Sequence, residues 1–356
     1  GSDSSDPDGD ALTYRWSVTA RARSTAAFED SSTESTTLPV DQPGEYELEL
    51  TVSDGELEDT ATETVTVACA DPEPIEDDIE VDTTWVANGY GCTHYVVSGF
   101  VSVRARLEVE PGVIVAFEPE AGLEHQSDED PIIAEGTAEL PILFTGTSER
   151  RGSWAGVSIN SANVESSLAH LVIEYGGSYN WAERFLPGGA NLTVRQAGGD
   201  SAVVQVRDSV FRESGDYGIV SVQAASELRG FEGNTVTDNE KAVALHVNQV
   251  QWLGESGVND LSGNAADFID LYGDEVVESQ RWYPHGAPYQ VFDTFALLAD
   301  LALEPGVELR FDEETHLIVE PGSLNAVGTE DAPIVLRSLL GVDGAWDGVE
   351  VGSSSV

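Results

Sequence analysis

The stretch "VEPGVIVAF" at residues 109–117 returns as "LEPGVELRF" at residues 303–311, 194 positions later. The same shift, with a slip of two residues in its second half, aligns further pairs: Tyr95 with Tyr289, Leu107 with Leu301, "EGTAELPILF" (135–144) with "VGTEDAPIVL" (327–336), and "WAGVSI" (154–159) with "WDGVEV" (346–351). These pairs define an internal repeat of about 75 residues, and self-similarity of this kind is the sequence signature of a repeat architecture.

A shorter period lies inside the first copy. The segments "SVFRESGDYGI" (209–219), "NTVTDNEKAV" (234–243) and "NDLSGNAADF" (259–268) begin 25 residues apart. Short β-rich pieces at a fixed period predict a solenoid with three short strands per coil, because one coil cannot bury its inward-facing aliphatic residues unless its neighbours stack on it. Asn234 and Asn259 either stack as an asparagine ladder or serve as ordinary turn residues.

The phrases "YVV", "LEVEPGVIVAF", "PILFTGT", "WAGVSI" and "LAHLVIEYGG" together resemble the right-handed β-helix repeat family of bacterial secreted and surface proteins. The resemblance implies a pectate-lyase-like parallel β-helix over residues 85–356, with a second repeat copy starting near residue 282. It implies no activity, because many chains share this shape without its chemistry. Since the second copy stops soon after "WDGVEV", we expect a segment of a longer tandem protein, or ends that another copy covers.

The first 68 residues show a different pattern. "ALTYRWSV" (11–18), "GEYELELTVSDG" (44–55) and "DTATETVTV" (59–67) alternate apolar and polar residues with period two, which predicts strands of a small β-sandwich. The segment resembles the polycystic-kidney-disease (PKD) and cadherin-like modules of immunoglobulin type, which occur in extracellular stalks and adhesins. Such modules begin with one or two strands that are missing here, so we expect an incomplete sandwich that a strand from elsewhere could complete.

Residues 69–84, "CADPEPIEDDIEVDTT", contain two prolines and seven acidic residues, which predicts an extended, acidic linker between the two domains. The chain has two cysteines, Cys69 and Cys92, and no CxxC motif. We predict that they form one disulfide, which would contribute roughly 3 kcal/mol by loop-closure entropy. A disulfide indicates an oxidising compartment outside the cytoplasm.

The charge balance limits the possible partners. With 65 acidic and 16 basic residues the formal net charge is −49, which argues against nucleic acid and anionic membrane surfaces as ligands. The sequence offers no apolar run long enough for a membrane span and no signal peptide, so we expect a mature or trimmed extracellular or cell-surface chain. The acidity is explained either by a solvated surface or by a saline or calcium-rich habitat.

The motif "DPDGD" places Asp6, Asp8 and Asp10 at alternate positions. Calcium binds six to eight oxygens, and alternate carboxylates in a tight turn can supply several of them. The resemblance to PKD and cadherin-like modules adds Asp54 of "VSDG" as a further ligand, which gives a candidate Ca²⁺ site. The alternative is a turn held by Asx hydrogen bonds without a metal.

Catalytic motifs are missing from the solenoid. The densest acidic patch, Asp267, Asp270, Asp274 and Glu275, has no arginine nearer than Arg281, and the six histidines are dispersed. Such a patch also arises from composition alone, so we predict no catalytic residues.

The glycine-rich stretch "EYGGSYNWAERFLPGG" (174–189) interrupts the coil rhythm and carries Tyr175, Tyr179 and Trp181. A long loop with aromatic residues on a rigid solenoid is a place where a ligand site can be built. The alternative is a loop that folds back and covers the flank of the solenoid.

Taken together, the sequence predicts an all-β, extracellular, non-catalytic structural or adhesive protein. It further suggests a subunit of a surface fibre, assembled end to end by strand complementation or coil stacking. The alternatives are a polysaccharide-active lyase or hydrolase, or a carbohydrate-binding adhesin, that uses the groove of the β-helix. The expected partners are other copies of the chain, neighbouring domains of a longer chain, or extracellular glycans.

Overall fold

The structure is a computed structural model that describes residues 1–20, 24–89, 91–160, 165–182, 188–195 and 202–352. The chain divides into two compact units. The first consists of Gly1–Pro72 with Ala87–His94, and the second of Glu73–Val86 with Tyr95–Val356.

The first unit contains an antiparallel sheet in the order β1-β2-β3, formed by β1 (Thr13–Thr19), β2 (Gly44–Ser53) and β3 (Glu58–Val67). In its register Leu50 of β2 lies opposite Trp16 on one side and Ala61 on the other. Because side chains alternate between the two faces of a strand, the apolar residues share one face. The period-two pattern of the sequence is thereby explained.

An irregular segment covers part of that apolar face. The Trp16 ring lies 5.4 Å from that of Phe28, and the Tyr46 hydroxyl donates to the Gln42 carbonyl at 2.6 Å. The described residues of this unit therefore supply one sheet of the predicted sandwich and no second one. β3 is an edge strand, exposed along nearly its whole length.

The predicted disulfide is present. Cys69 and Cys92 are bonded, with their Cα atoms 5.8 Å apart, and both belong to the first unit. The bond closes a loop of chain whose middle part, Glu73–Val86, belongs to the second unit.

The second unit is built from short strands, which are, in chain order, β4 (Glu73–Ile75), β5 (Thr83–Trp85), β6 (Tyr95–Val97), β7 (Phe100–Val103), β8 (Leu107–Val109), β9 (Ile114–Phe117), β10 (Gly122–His125), β11 (Ile132–Glu135), β12 (Ile142–Gly146), β13 (Gly156–Ile159), β14 (Glu165–Ala169), β15 (Leu171–Glu174), β16 (Ala190–Val194), β17 (Ala202–Arg207), β18 (Val210–Arg212), β19 (Tyr217–Ser221), β20 (Ser226–Glu232), β21 (Thr235–Thr237), β22 (Lys241–His246), β23 (Ala266–Tyr272), β24 (Glu275–Val276), β25 (Gln280–Trp282), β26 (Tyr289–Val291), β27 (Phe295–Leu297), β28 (Leu301–Leu303), β29 (Glu308–Phe311), β30 (His316–Val319), β31 (Leu324–Ala326), β32 (Val335–Ser338) and β33 (Gly348–Val351). A 3₁₀ helix, Val247–Leu253, follows β22.

These strands stack in parallel, and most of them pair with the third strand on, so that three strands make one coil. The sheets are a ten-stranded one (β7-β10-β13-β16-β19-β22-β23-β26-β29-β32), a six-stranded one (β5-β8-β11-β14-β17-β20), a seven-stranded one (β4-β6-β9-β12-β15-β18-β21), a four-stranded one (β24-β27-β30-β33) and a three-stranded one (β25-β28-β31). A single apolar core runs inside them from Ile79 to Val319. The predicted all-β class with a parallel β-helix is confirmed.

The boundary of the solenoid differs from the prediction. Residues 73–86, which we predicted as part of a linker, form the first coil: β4 pairs with β6, and β5 pairs with β8. The acidic side chains there have partners in the next coil, since the Asp78 carboxylate accepts from Ser102 N at 2.8 Å and from Arg104 at 2.7 Å. Charge density therefore misled the prediction, because the outer face of a coil tolerates carboxylates as well as a linker does.

The two copies of the repeat share their turns and their aromatic stacks. Gly112 and Gly306 have φ of 82° and 91°, a conformation that glycine adopts without strain, and each ends the "EPG" turn. Trp154 stacks on Phe117 at 4.0 Å, and Trp346 stacks on Phe311 at 4.4 Å. The equivalence read from the sequence is thus an equivalence of local structure.

The copies do not occupy the same sides of the solenoid. β6, β9 and β12 lie in the seven-stranded sheet, whereas their sequence equivalents β26, β29 and β32 lie in the ten-stranded sheet. The chain between the copies does not contain a whole number of three-strand coils, and part of it is the 3₁₀ helix. The second copy is therefore rotated by one side of the coil.

Two polar ladders confirm that residues 25 apart stack. Asn234 Oδ1 accepts from Ser209 N at 3.1 Å, and Asn259 Oδ1 accepts from Asn234 N at 2.9 Å. A second ladder joins Ser214, Asn239 and Asn264 in the same way. Of the two interpretations of Asn234 and Asn259, the ladder is the one observed.

We expect Asn234→Ala to lower the free energy of unfolding by about 2–4 kcal/mol, because it leaves the buried Ser209 N–H and Val206 carbonyl without partners. Thermal and urea unfolding, followed by circular dichroism, measure the change. Asn325→Ala, at an exposed strand position, is the matched control and should change stability by no more than about 0.5 kcal/mol. Equal effects of the two substitutions would show that the ladder does not contribute to stability.

Candidate functional site

A cleft opens on the outside of the ten-stranded sheet, where β19, β22, β23 and β26 end. Its volume is about 700 Å³, and we call it the carboxyl-edge cleft, defined by its lining residues Val222, Gln223, Ala224, His246, Tyr272, Gly273, Asp274, Phe292, Asp293 and Thr294. A concave site lined by aromatic groups and a few convergent polar groups is the usual form of a small-ligand site.

Parallel stacking places these residues together. His246 ends β22 and lies opposite Tyr272, which ends β23. Phe292 follows β26, and its N–H donates to the carbonyl of Leu271 at 3.1 Å. Side chains that are 20 and 26 residues apart in sequence thereby form one column across successive coils.

Two aromatic rings form one wall of the cleft. Tyr272 and Phe292 are stacked, with centroids 5.2 Å apart and an interplanar angle of 15°. Both rings are half-buried, and Tyr272 packs on a small apolar cluster that includes Val220 and Ala244. The pair is a rigid apolar platform that runs in the stacking direction of the coils.

His246 supplies a hydrogen-bond donor. Its side chain is 5% exposed, and its Nδ1 accepts from Asn248 N at 3.2 Å at the start of the 3₁₀ helix. Burial lowers the pKa of His246, while Asp274 and Asp293 oppose this effect, so the ring is neutral at pH 7 with its proton on Nε2. Among the residues that the structure describes, Nε2–H has no acceptor.

Gly273 makes room for this ring. A Cβ atom at position 273 would lie 2.2 Å from His246 Nε2, and the residue has φ of 107°. Any larger residue would therefore displace the histidine and strain the backbone. Glycine at this position keeps the donor at the wall of the cleft.

Two carboxylates, Asp274 and Asp293, supply the acceptors. Both residues are exposed, and Asp293 is oriented by the Gly273 N–H, which donates to its Oδ2 at 2.9 Å. Neither forms an ion pair with any lysine, arginine or histidine in the described ranges, and the lining of the cleft contains no lysine or arginine. The cleft is therefore an acidic pocket with one neutral donor and one apolar wall.

A closed polar network lies beside the cleft. The Tyr217 hydroxyl donates to Asp270 Oδ2 at 2.6 Å, and Lys241 Nζ donates to the Tyr217 hydroxyl at 3.2 Å while pairing with Asp216 at 3.5 Å. Tyr217 and Asp270 are 1% and 3% exposed, so they do not contact solvent. Tyr272 is hydrogen-bonded to Tyr217, which anchors the aromatic wall to this network.

The acidic patch seen in the sequence does not form one site. Asp270 is buried in the network, Asp274 lies in the cleft, and Asp267 accepts from Asn264 N at 2.8 Å at the end of a ladder. Glu275 is exposed in β24. Neighbours in sequence point in different directions because β23 alternates its side chains between faces.

The predicted ligand loop splits as well. Trp181 is 6% exposed, and its Nε1 donates to the Ala155 carbonyl at 3.2 Å. Tyr175 packs against the solenoid core. Tyr179 is 39% exposed and contacts Trp181 and Phe100 edge-on. Residues 183–187 of the loop lie outside the described residues. For Trp181 and Tyr175 the covering interpretation fits the contacts.

The candidate calcium residues form turns. Asp6 Oδ1 accepts from the N–H groups of Asp8 and Asp10, each at 2.9 Å, and Asp54 accepts from Glu56 and Leu57. Asp6 and Asp54 line the same cavity of about 700 Å³ in the first unit, whereas Asp8 and Asp10 do not. Within the described ranges, no three histidine, cysteine, aspartate or glutamate side chains gather in a metal-binding arrangement. The geometry does not fit the oxygen shell of calcium, and the proposals below do not use it.

The comparisons with known proteins identify the first unit only. A family model described as a PKD domain matches residues 1–67, which supports the resemblance to PKD modules. No curated protein matches the chain, and no solved structure matches it. In the described part of the chain, no helix is long and apolar enough to cross a membrane.

The buried carboxylate next to the cleft should make stability depend on pH. Burial raises the pKa of Asp270, so its ionised form destabilises the folded state and stability falls as pH rises through that raised pKa. Asp270→Asn keeps an acceptor for Tyr217 and should stabilise the protein more at pH 8 than at pH 4.5. Unfolding midpoints at the two pH values test this, with the exposed Asp331→Asn as control. A gain independent of pH would contradict the assignment.

Proposed function

We propose that the chain is an extracellular structural and adhesive protein whose rigid β-helix presents a carbohydrate-binding cleft. The observation that carries the proposal is the carboxyl-edge cleft, where a stacked aromatic pair, a neutral histidine donor and two unpaired carboxylates converge on stacked strands. A PKD-type module and a disulfide are features of extracellular proteins of the adhesion type, and both are present.

The chemistry of the cleft suits a sugar ring. A pyranose has an apolar face of C–H bonds, which packs on aromatic rings such as Tyr272 and Phe292. Its hydroxyls both donate and accept, so they can donate to Asp274 and Asp293 and accept from His246 Nε2–H. A ligand of several sugar units would run along the stacking direction of the coils, as the aromatic pair does.

We propose binding without cleavage. A lyase acting on an acidic glycan needs a basic residue and a cation to neutralise the carboxylate of its substrate, whereas the described lining of the cleft contains neither lysine nor arginine. The sharpest buried acid, Asp270, is closed off from the cleft by its burial at 3% exposure. Incubation with oligosaccharides should therefore release neither reducing ends nor unsaturated products.

We expect Tyr272→Ala to weaken oligosaccharide binding at least about tenfold, since stacking and its orientation are lost. Tyr272→Phe, which keeps the ring, should retain most of the affinity. Calorimetric titration of the full chain, with circular dichroism as a check of folding, measures both. Tyr179→Ala is the matched control in the loop, where an aromatic residue is also exposed. If Tyr179→Ala abolishes binding and Tyr272→Ala does not, the site is the loop instead of the cleft.

Assembly into a fibre stays part of the proposal, with β3 as the contact. β3 is ten residues long, lies at the edge of its sheet and is almost wholly exposed. An open strand edge can pair with the strand of another copy. The high negative charge opposes this contact at low ionic strength, and salt screens that repulsion.

Light scattering should therefore show a larger particle mass at high salt than at low salt. Val65→Glu, which adds a charge to β3 at a side chain that is 41% exposed, should abolish the increase. Val258→Glu, at a solenoid valine that is 38% exposed, is the control. An increase abolished by Val327→Glu instead, next to β31, would assign association to coil stacking, and a constant mass at every salt concentration would refute self-association.

A further inference from the structure

We infer that the carboxyl-edge cleft selects amino sugars, in which a protonated amine replaces a hydroxyl, over neutral and anionic sugars. This inference rests on the proposed function and names its ligand class. It follows from the charges that surround the cleft and from the hydrogen bonds that its polar groups leave unmade.

The cleft holds negative charge without a counterion. Asp274 and Asp293 lie on successive coils at its rim, and both act on the ring of His246, so the three groups are close to one another. Among the described residues, no arginine or lysine lies within ion-pair distance of either carboxylate. The whole chain has a formal net charge of −49. A uronic acid would meet only repulsion in this cleft, because like charges raise the free energy of the complex.

An ammonium group fits the pattern of acceptors. It carries three donors and no acceptor, which matches two carboxylates that together offer several free lone pairs. Asp293 uses one oxygen for the Gly273 N–H and keeps the other free. Hydrogen bonds between charged groups are about twice as strong as neutral ones, so the amine adds affinity that a hydroxyl at the same place does not.

The neutral histidine completes the selection. His246 Nε2–H requires an acceptor, and a hydroxyl or ring oxygen beside the amine supplies one. Because burial keeps this ring neutral, it adds no positive charge that would repel the ammonium. The aromatic pair Tyr272 and Phe292 then packs on the apolar face of the same sugar and fixes its position.

The test uses the full chain and three probes of equal length: an oligosaccharide of glucosamine with free amines, its N-acetylated form, and an oligomer of galacturonic acid. Calorimetric titration at low salt should give an affinity at least about tenfold higher for the amine form than for the N-acetylated form, and no binding of the uronate. Asp274→Asn and Asp293→Asn should each weaken amine binding about tenfold and leave the N-acetylated form unchanged.

A matched control separates the cleft from general attraction to an acidic surface. Asp331→Asn removes one exposed carboxylate away from the cleft and should leave the affinity unchanged. If all three aspartate variants bind the amine form alike, the attraction is not local and the inference is overturned. If the amine and N-acetylated forms bind equally and Tyr272→Ala weakens both, the inference fails while the proposed function stands. If none of the probes binds, the proposed function fails with it.

Discussion

The inability of a single coil to bury its own apolar side chains governs the second unit. Each coil contributes only short strands, and their inward valines, leucines and phenylalanines lie against water on two sides unless another coil stacks above and below. Stacking also satisfies the backbone, since each N–H and C=O of one coil pairs with the next. The continuous core from Ile79 to Val319 is the result, and it keeps the outer face rigid enough to hold a site.

The same constraint builds the carboxyl-edge cleft. Parallel register brings His246, Tyr272 and Phe292 into one column although each comes from a different coil. A column of this kind repeats at the spacing of neighbouring strands, about 4.8 Å, which is why the aromatic rings stack at 5.2 Å. The buried Tyr217 and Asp270 beneath them fill the space that a repeating column leaves where β22 and β23 slip in register.

Much of the fold could be predicted from the sequence, and much of the site could not. The repeat at Phe117 and Phe311, the period of 25 at Asn234 and Asn259, and the pairing of Cys69 with Cys92 are local or periodic signals that survive without coordinates. The start of the solenoid was predicted too late, because residues 73–86 carry the composition of a linker while pairing as strands. The cleft was missed because the steps from His246 to Tyr272 and from Tyr272 to Phe292 are unequal, 26 and 20 residues. Only the register of the strands shows that these residues are neighbours.

The turn by one side between the two copies of the repeat has a consequence for how such a chain diversifies. A phrase that folds equally well on any side of a triangular coil can be copied without being re-fitted, and the length of the intervening chain then sets the compass bearing of its outward residues. Inserting or deleting a single strand would swing everything downstream through a third of a circle and leave the core intact. Duplication thus yields new surfaces from old letters, and the rod acquires facets at no cost to its interior.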